Sequence, residues 1–276
     1  MPPVLFRWLG CAGFELQVQD AVLAVDPFFS RPPFWRLWFG RLHSDPALSA
    51  RLLPRCDAIL VTHAHYDHLM DVPDIARRCG ARVFGSPNAC RLLEICGVPA
   101  GQVQRVQAGD TLRLGEFQVQ VLPAEHLAVP GFSAGPLAPR LQPPLRLRQY
   151  RLDECFSFYI QAGGLRLLDW CSVLPAPAQP AEVLLTGVIA FGPHLRALVE
   201  ATRPRVILPN HWDDLFRPLA RPIRPALRPP RLSFPPFQSM DPYRLKEEIE
   251  QAIPGIRVFV PQVLQSCDLG QLLQGE

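Results

Sequence analysis

Apolar positions recur in short runs along this chain, and the period of each run predicts its element. Val4–Trp8 reads as a strand that runs into the turn Gly10-Cys11-Ala12-Gly13. Phe14–Val18 and Val22–Val25 read as a hairpin ending at Asp26-Pro27. Asp57–Thr62 is a short apolar run, rich in β-formers and bounded by polar residues, which predicts a buried strand. A helix is expected over Asp71–Cys79, a strand over Ala81–Gly85 and a helix over Asn88–Cys96, closed by Gly97. Strands follow at Val103–Val106, Thr111–Leu114 and Phe117–Leu122, the last alternating Phe-Gln-Val-Gln-Val.

The second half repeats the theme. Cys155–Ile160 and Leu165–Leu168 read as a hairpin about Gly163-Gly164, and Val183–Thr186 as a strand. Pro193–Thr202 is expected as a helix, Arg205–Leu208 as a strand, Pro242–Ile253 as a helix and Ile256–Val260 as a closing strand. Strands and helices in both halves imply two packed sheets with helices outside. Nothing reads as an interdomain linker, so residues 1–276 are expected to form a single domain. Leu127–Leu152 and Leu215–Met240 lack periodicity and carry several prolines; they are expected as long loop insertions. Phe28–Phe39 carries six aromatic rings after a strand end. A core flap is the favoured reading, with an apolar pocket wall or membrane-touching surface as the alternative.

Composition narrows the class. With 48% hydrophobic residues in 276, there is enough apolar content for a sizeable core. The 32 prolines and 18 glycines together stay below the roughly 25–30% share that marks low-complexity chains. Scattered cysteines without a CxxC pair read as free thiols of a reducing cytoplasm. No signal peptide or membrane-span run is apparent, and a net charge of +3 does not by itself imply nucleic acid. A cytoplasmic protein without a nucleic-acid partner is expected.

The chemistry concentrates in Thr62-His63-Ala64-His65-Tyr66-Asp67-His68, directly after the predicted buried strand. In extended chain, residues two apart face the same way, so His63 and His65 can hold one ion. After a turn, Asp67 and His68 can point at a second position. Imidazole and carboxylate suit zinc, manganese or iron.

This His-x-His-x-Asp-His pattern resembles the metallo-β-lactamase superfamily. Pro123-Ala124-Glu125-His126, Leu167-Leu168-Asp169 and Leu208-Pro209-Asn210-His211 follow in the order that the resemblance implies. It implies a four-layer αβ/βα sandwich with a dinuclear site at one edge. By this resemblance His63, His65 and His126 bind one metal, Asp67, His68 and His211 bind a second, and Asp169 bridges them. Asp26 would orient a ligand imidazole from behind. Trp8-Leu9-Gly10-x-Ala12-Gly13-Phe14, Pro123-Ala124-x-His126 and Pro209-Asn210-His211-Trp212 are similar to the branch of ascorbate-6-phosphate lactonase-like and N-acyl-phosphatidylethanolamine phospholipase D-like proteins. Cys11 stands where that branch often has His, and Leu168-Asp169-Trp170 replaces its usual Gly-Asp-Thr.

The implied activity is a metal-dependent hydrolase. A metal-bridging hydroxide, oriented by Asp67, would attack a lactone, a phosphoester or a related small molecule. Two divalent ions are the implied cofactors, zinc first, with manganese or iron as alternatives. An iron-dependent oxidoreductase of the same fold and a non-catalytic metal-binding member are the rival readings. Both long insertions lack acidic residues and carry arginines, including Arg221 and Arg224. They are read either as proline-stiffened lids favouring an anionic substrate or as arginine-rich surface loops of a biased composition, and His194 either as a pocket residue or as a local cap at the surface. Cys11 and Cys171 are expected near the site as buried thiols, and Asp213 and Asp214 as residues that cap or solvate the chain.

Overall fold

The computed structural model describes residues 2–127, 132–170, 172, 174, 179–187, 192–227 and 239–275. β1 (Val4–Gly10), β2 (Gly13–Val18) and β3 (Ala21–Val25) form an antiparallel meander. β4 (Ala58–Leu60), β5 (Arg82–Gly85) and β6 (Val103–Arg105) extend it in parallel. The chain then crosses to a second sheet through the hairpin of β7 (Thr111–Leu114) and β8 (Phe117–Ala124). An excursion follows, carrying the short parallel pair β9 (Ser133–Ala134) and β10 (Arg151–Leu152). β11 (Cys155–Ala162) and β12 (Leu165–Trp170) are antiparallel, and β13 (Val183–Gly187), β14 (Val206–Asn210) and β15 (Arg257–Val258) continue in parallel. β16 (Ser266–Asp268) returns to the first sheet beside β1.

Among the described residues the two sheets run β16-β1-β2-β3-β4-β5-β6 and β15-β14-β13-β12-β11-β8-β7. α1 (Phe34–Phe39), α2 (Pro46–Leu52), α3 (Tyr66–Leu69), α4 (Val72–Cys79) and α5 (Pro87–Ile95) belong to the first half. α6 (Pro193–Thr202), α7 (Pro242–Ala252) and α8 (Leu269–Gln274) belong to the second. The period-two pattern explains the layering. In β4, Ala58 and Leu60 join the core between the sheets, with Phe6, Leu16, Phe158 and Ile160. Ile59 and Val61 face the other way, against Ile75 and Ala76 of α4 and Leu92 and Leu93 of α5. Each fully buried Leu, Ile, Val or Phe among them is worth roughly 1.5–3 kcal/mol. The outcome is the expected four-layer αβ/βα sandwich.

The helices end where local chemistry stops them. Gly80 closes α4 in the left-handed region at φ 69. Ser86 caps α5 by accepting from the Ala89 amide, with Pro87 at the first position.

Three expectations change. The aromatic segment is not one core flap. Phe28 and Phe29 are buried, but Phe34, Trp35, Trp38 and Phe39 are exposed. They sit on the six-residue α1, which buries only Leu37, and so short a helix has one inward face. The insertion after His126 contributes to the core: Leu145, Leu147 and Tyr150 are buried in the outer core. β16 and α8 were not expected; α8 is short and is capped by Asp268. Residues 128–131 of the first insertion and 228–238 of the second, with Arg228 and Arg231, lie outside the described residues, as does Cys171. Among the described residues no helix is long and apolar enough to cross a membrane.

Candidate metal centre

Five strand ends converge on one edge of the sandwich, each delivering a side chain at or just beyond its end. Asp26 follows β3, His63 and His65 follow β4, His126 follows β8, Asp169 lies near the end of β12 and His211 follows β14. The sheets are stitched together there: the Phe156 amide donates to the Thr62 carbonyl at 2.8 Å. β4 stops because the Thr62 amide donates to Asp26 Oδ1 at 2.9 Å instead of continuing the ladder. His65 is extended, and the single turn of α3 then swings Asp67 and His68 back toward the same edge.

The rings gather closely. His63 lies 4.6 Å from His65 and 4.7 Å from His126, centroid to centroid. His68 lies 3.9 Å from His63 and 5.4 Å from His211. Two groups result: His63, His65 and His126, and Asp67, His68 and His211, with the ligand atoms of each within 4.8 Å of one another. Asp169 is buried beside them, and its charge helps raise His68. It belongs to neither group of three.

The surroundings hold these side chains in place. Asp26 Oδ2 lies 2.6 Å from His68 Nδ1 and also accepts from the Thr62 hydroxyl. Asp26 and His211 have left-handed φ values of 44 and 53, and Cys11 has 49. Strain of this kind costs of order 1–3 kcal/mol per residue and persists only where the fold over-determines it. At His211 it does. The His211 amide donates to the Cys11 carbonyl at 2.8 Å, and the Cys11 amide donates to Asp213 Oδ1 at 2.9 Å. Asp213 also faces Arg31 at 2.7 Å, both side chains fully buried. Arg31 Nη1 in turn donates to the Asp214 and Arg217 carbonyls. Gly10, at φ 95, leaves the room Arg31 needs, since a Cβ there would run into the guanidinium.

This Arg31–Asp213 pair was missed in the sequence. Asp213 does not solvate the chain but closes a buried ion pair, and the partners are too far apart in sequence for any spacing rule to join them. The one available signal was an arginine inside the apolar Phe28-Phe29-Ser30-Arg31-Pro32 run. Cys11 is buried as expected, and burial above all pushes its thiol well up, which keeps it protonated. His194 Nε2 lies 3.0 Å from the Ser172 carbonyl, whose own hydroxyl accepts from the Glu125 amide next to His126. Arg221 is exposed, and Arg224 donates to Asp214 at 2.9 and 2.7 Å.

Electrostatics separate the two groups. Burial pushes His63 well below its ordinary value, and the surrounding imidazoles push it further. Burial likewise lowers His65 and His126 to about 4. All three are neutral near pH 7, with lone pairs available. Burial also works against charge on His68, but Asp26 and Asp67 outweigh it and raise the imidazole to about 9. Burial pushes the Asp67 carboxyl up, yet His68, His211 and His65 together hold it below the usual range.

The residues fit divalent ions. Donor atoms around a tetrahedral zinc with bonds of about 2.0–2.1 Å lie about 3.3 Å apart. Here His63 Nε2 and His65 Nδ1 are 3.0 Å apart, and Asp67 Oδ2 is 3.5 Å from His211 Nε2 and 3.6 Å from His68 Nε2. Asp67 Oδ1 is buried without a hydrogen-bond partner, an expensive state for a carboxylate that a cation would relieve.

The model of the Beta-lactamase superfamily domain matches residues 22–167. The chain belongs to the metallo-β-lactamase superfamily. Superfamily relatives include a UPF0173 metal-dependent hydrolase of Pyrobaculum neutrophilum, 32% identical over 217 residues that make up 78% of this chain and 86% of the relative. One from Myxococcus xanthus is 26% identical over 74% of this chain and 69% of its own. Among solved structures, Igni18, a metallo hydrolase of Ignicoccus hospitalis, superposes with a TM-score of 0.61 at 20% identity, covering 96% of this chain and 97% of its own. CmlA, a diiron β-hydroxylase of Streptomyces venezuelae, gives 0.61 at 18% identity, covering 97% of this chain and 54% of its own. At these identities the two structures show a shared fold.

Proposed function

We propose that this protein is a metal-dependent hydrolase acting on a small-molecule ester: a lactone, a phosphoester or a related substrate. The observation that carries this reading is the largely buried pair of ligand groups, His63/His65/His126 and Asp67/His68/His211, with Asp67 Oδ1 buried and unpartnered. The hydrolase names of the relatives support it. His63, His65 and His126 would hold one divalent ion and Asp67, His68 and His211 the other, with Asp169 shared. Zinc is the first expectation, ahead of manganese or iron. When bound, such ions supply a nucleophile from water at neutral pH and a Lewis acid for the carbonyl or phosphoryl oxygen.

The chain's own residues supply the rest. Asp67, anionic and buried, can accept a proton or orient an attacking water through Oδ1. Asp26 fixes the tautomer and the ring plane of His68 through Nδ1 and so leaves Nε2 facing Asp67. The Arg31–Asp213 pair and the Cys11 carbonyl hold the turn that presents His211. Arg221 and Arg224, in the arginine-bearing segment after His211, would draw an anionic substrate toward the edge, with His194 at the rim beyond Ser172. Because Arg224 is already engaged by Asp214, Arg221→Glu is the cleaner probe of that attraction. An unchanged KM for anionic substrates in that variant removes the anionic preference from the reading.

The test is a panel of lactones, phosphodiesters and thioesters, run with protein loaded with zinc, manganese or iron and quantified for bound metal. Turnover of at least one ester class by the wild type, with loss in Asp67→Ala, is expected. No turnover with any metal overturns the hydrolase in favour of a non-catalytic metal-binding protein. Iron-restricted, oxygen-consuming turnover overturns it in favour of an oxidoreductase.

A further inference from the structure

The exposed aromatic helix calls for a partner, and the chain around it says which kind. On α1, Phe34 and Trp35 are each 59% exposed, Trp38 39% and Phe39 80%. An isolated exposed apolar residue needs no explanation, but four large rings in six residues do. Only Leu37 ties the helix into the core.

The charge around this patch is one-sided. Residues 27–44 contain no Asp or Glu; Arg31 is buried against Asp213, while Arg36 and Arg41 are exposed. The segments 127–152 and 215–240 are likewise free of Asp and Glu in sequence, and their described parts expose Arg146 and Arg221. In the folded chain described residues of all three meet at or beside α1. Arg146 Nη1 donates to the Phe39 carbonyl at 3.1 Å, Arg41 Nη1 donates to the Gln142 and Pro144 carbonyls, and the Leu42 amide donates to the Leu145 carbonyl. From the third segment, Phe216 packs edge-on against Phe34 at 5.3 Å. Asp214, which precedes the third segment, is engaged by Arg224. Arg36 lies 5.2 Å from the Trp35 ring, so cation and aromatic share one surface.

We infer that α1 and the arginines around it form a docking surface for a bilayer containing anionic phospholipid. Tryptophan and phenylalanine enter the headgroup boundary while arginine meets the lipid phosphates. A second copy of the chain is disfavoured by the same charge, because a twofold contact through this face brings arginine against arginine. Phe216 is five residues from His211, so the surface is continuous with the segment that carries a proposed ligand. The inference concerns binding alone and stands whether or not the proposed hydrolysis is found.

Co-sedimentation of the full-length, metal-loaded protein with phosphatidylcholine vesicles, with and without about a third of phosphatidylglycerol, tests it. Binding is expected to the anionic vesicles and to weaken as salt rises. Trp35→Ala/Phe39→Ala is expected to lower partitioning at least about tenfold, and Arg36→Glu at least about fivefold. Both sites are exposed, and an unchanged melting transition verifies that the variants fold. Three outcomes overturn the inference: no vesicle binding by the wild type, binding indifferent to both variants, or lipid-free self-association that Trp35→Ala/Phe39→Ala abolishes.

Discussion

The two ligand groups sit a few ångströms apart yet are prepared in opposite ways. His63, His65 and His126 contain no carboxylate; burial holds His65 and His126 near 4 and His63 lower still. That group is three free bases waiting for a cation. Asp67, His68 and His211 are built around an anion, and Asp26 and Asp67 keep a proton on His68 up to about pH 9. A cation entering the second group must displace that proton, while one entering the first displaces none at neutral pH. The first group is organised by exclusion of water, the second by pairing of charges.

The sharpest break in this comparison is Asp67→Ala. It removes the proposed water-orienting oxygen and the only carboxylate of the second group. Hydrolysis is expected to fall by about 10²–10⁴-fold, and bound metal, measured by elemental analysis, to drop from two ions toward one. Retention of both ions at an undiminished rate removes Asp67 from both roles.

Asp26→Asn is a smaller step in the same direction. It keeps the shape but leaves His68 Nδ1 facing a neutral amide instead of a carboxylate. Loss of such an outer partner typically weakens metal affinity 10–100-fold. Metal titration is expected to show that loss at the second ion and none at the first. An equal loss at both ions means that the groups do not act separately.

How much of this was legible in the sequence depended on range. The strand pattern was local, so β4 and its alternating faces could be read from Ala58-Ile59-Leu60-Val61 alone. The cluster from His63 to His68 was also local, and its spacing pointed to metal chemistry without a fold. His126, Asp169 and His211 were placed only through the family resemblance, because no spacing rule spans the intervening sheet. Long-range pairing with no motif stayed hidden, as with Arg31 and Asp213. The exposure of α1 was hidden too. Six residues, five of them aromatic or apolar, have no polar face to reveal which side meets solvent.

Protons provide a test that separates the groups without mutation. In the metal-free protein His65 and His126 have values lowered from 6.5 to about 4. Their contribution to stability is therefore present above pH 6.5 and lost as pH falls toward 4. His68, raised to about 9, contributes below pH 6.5 and loses that contribution as pH rises through 9. Each fully titrating group changes stability by at most about 1.4 kcal/mol per pH unit in its window. Affinity for the second ion is expected to climb about tenfold per pH unit between 7 and 9, with the first nearly flat. Calorimetric titration at several pH values measures both slopes, and equal slopes contradict the comparison.

The smallest expected effect belongs to Thr62, which touches both groups. Its hydroxyl donates to Asp26 and lies 3.0 Å from His63 Nδ1 and 3.1 Å from His68 Nδ1. Thr62→Val keeps the volume and the amide bond to Asp26 but deletes this shared contact. Asp26 retains His68 and the Thr62 amide, so the loss is one charge-assisted hydrogen bond, about 1.5–3 kcal/mol of stability. Because the hydroxyl reaches an imidazole of each group, both ions are expected to weaken by similar few-fold factors, unlike the one-sided response to Asp26→Asn. Denaturation and metal titration of the two variants side by side decide the point. A one-sided loss in Thr62→Val means that the hydroxyl serves His68 alone and that the first group is held by burial without it.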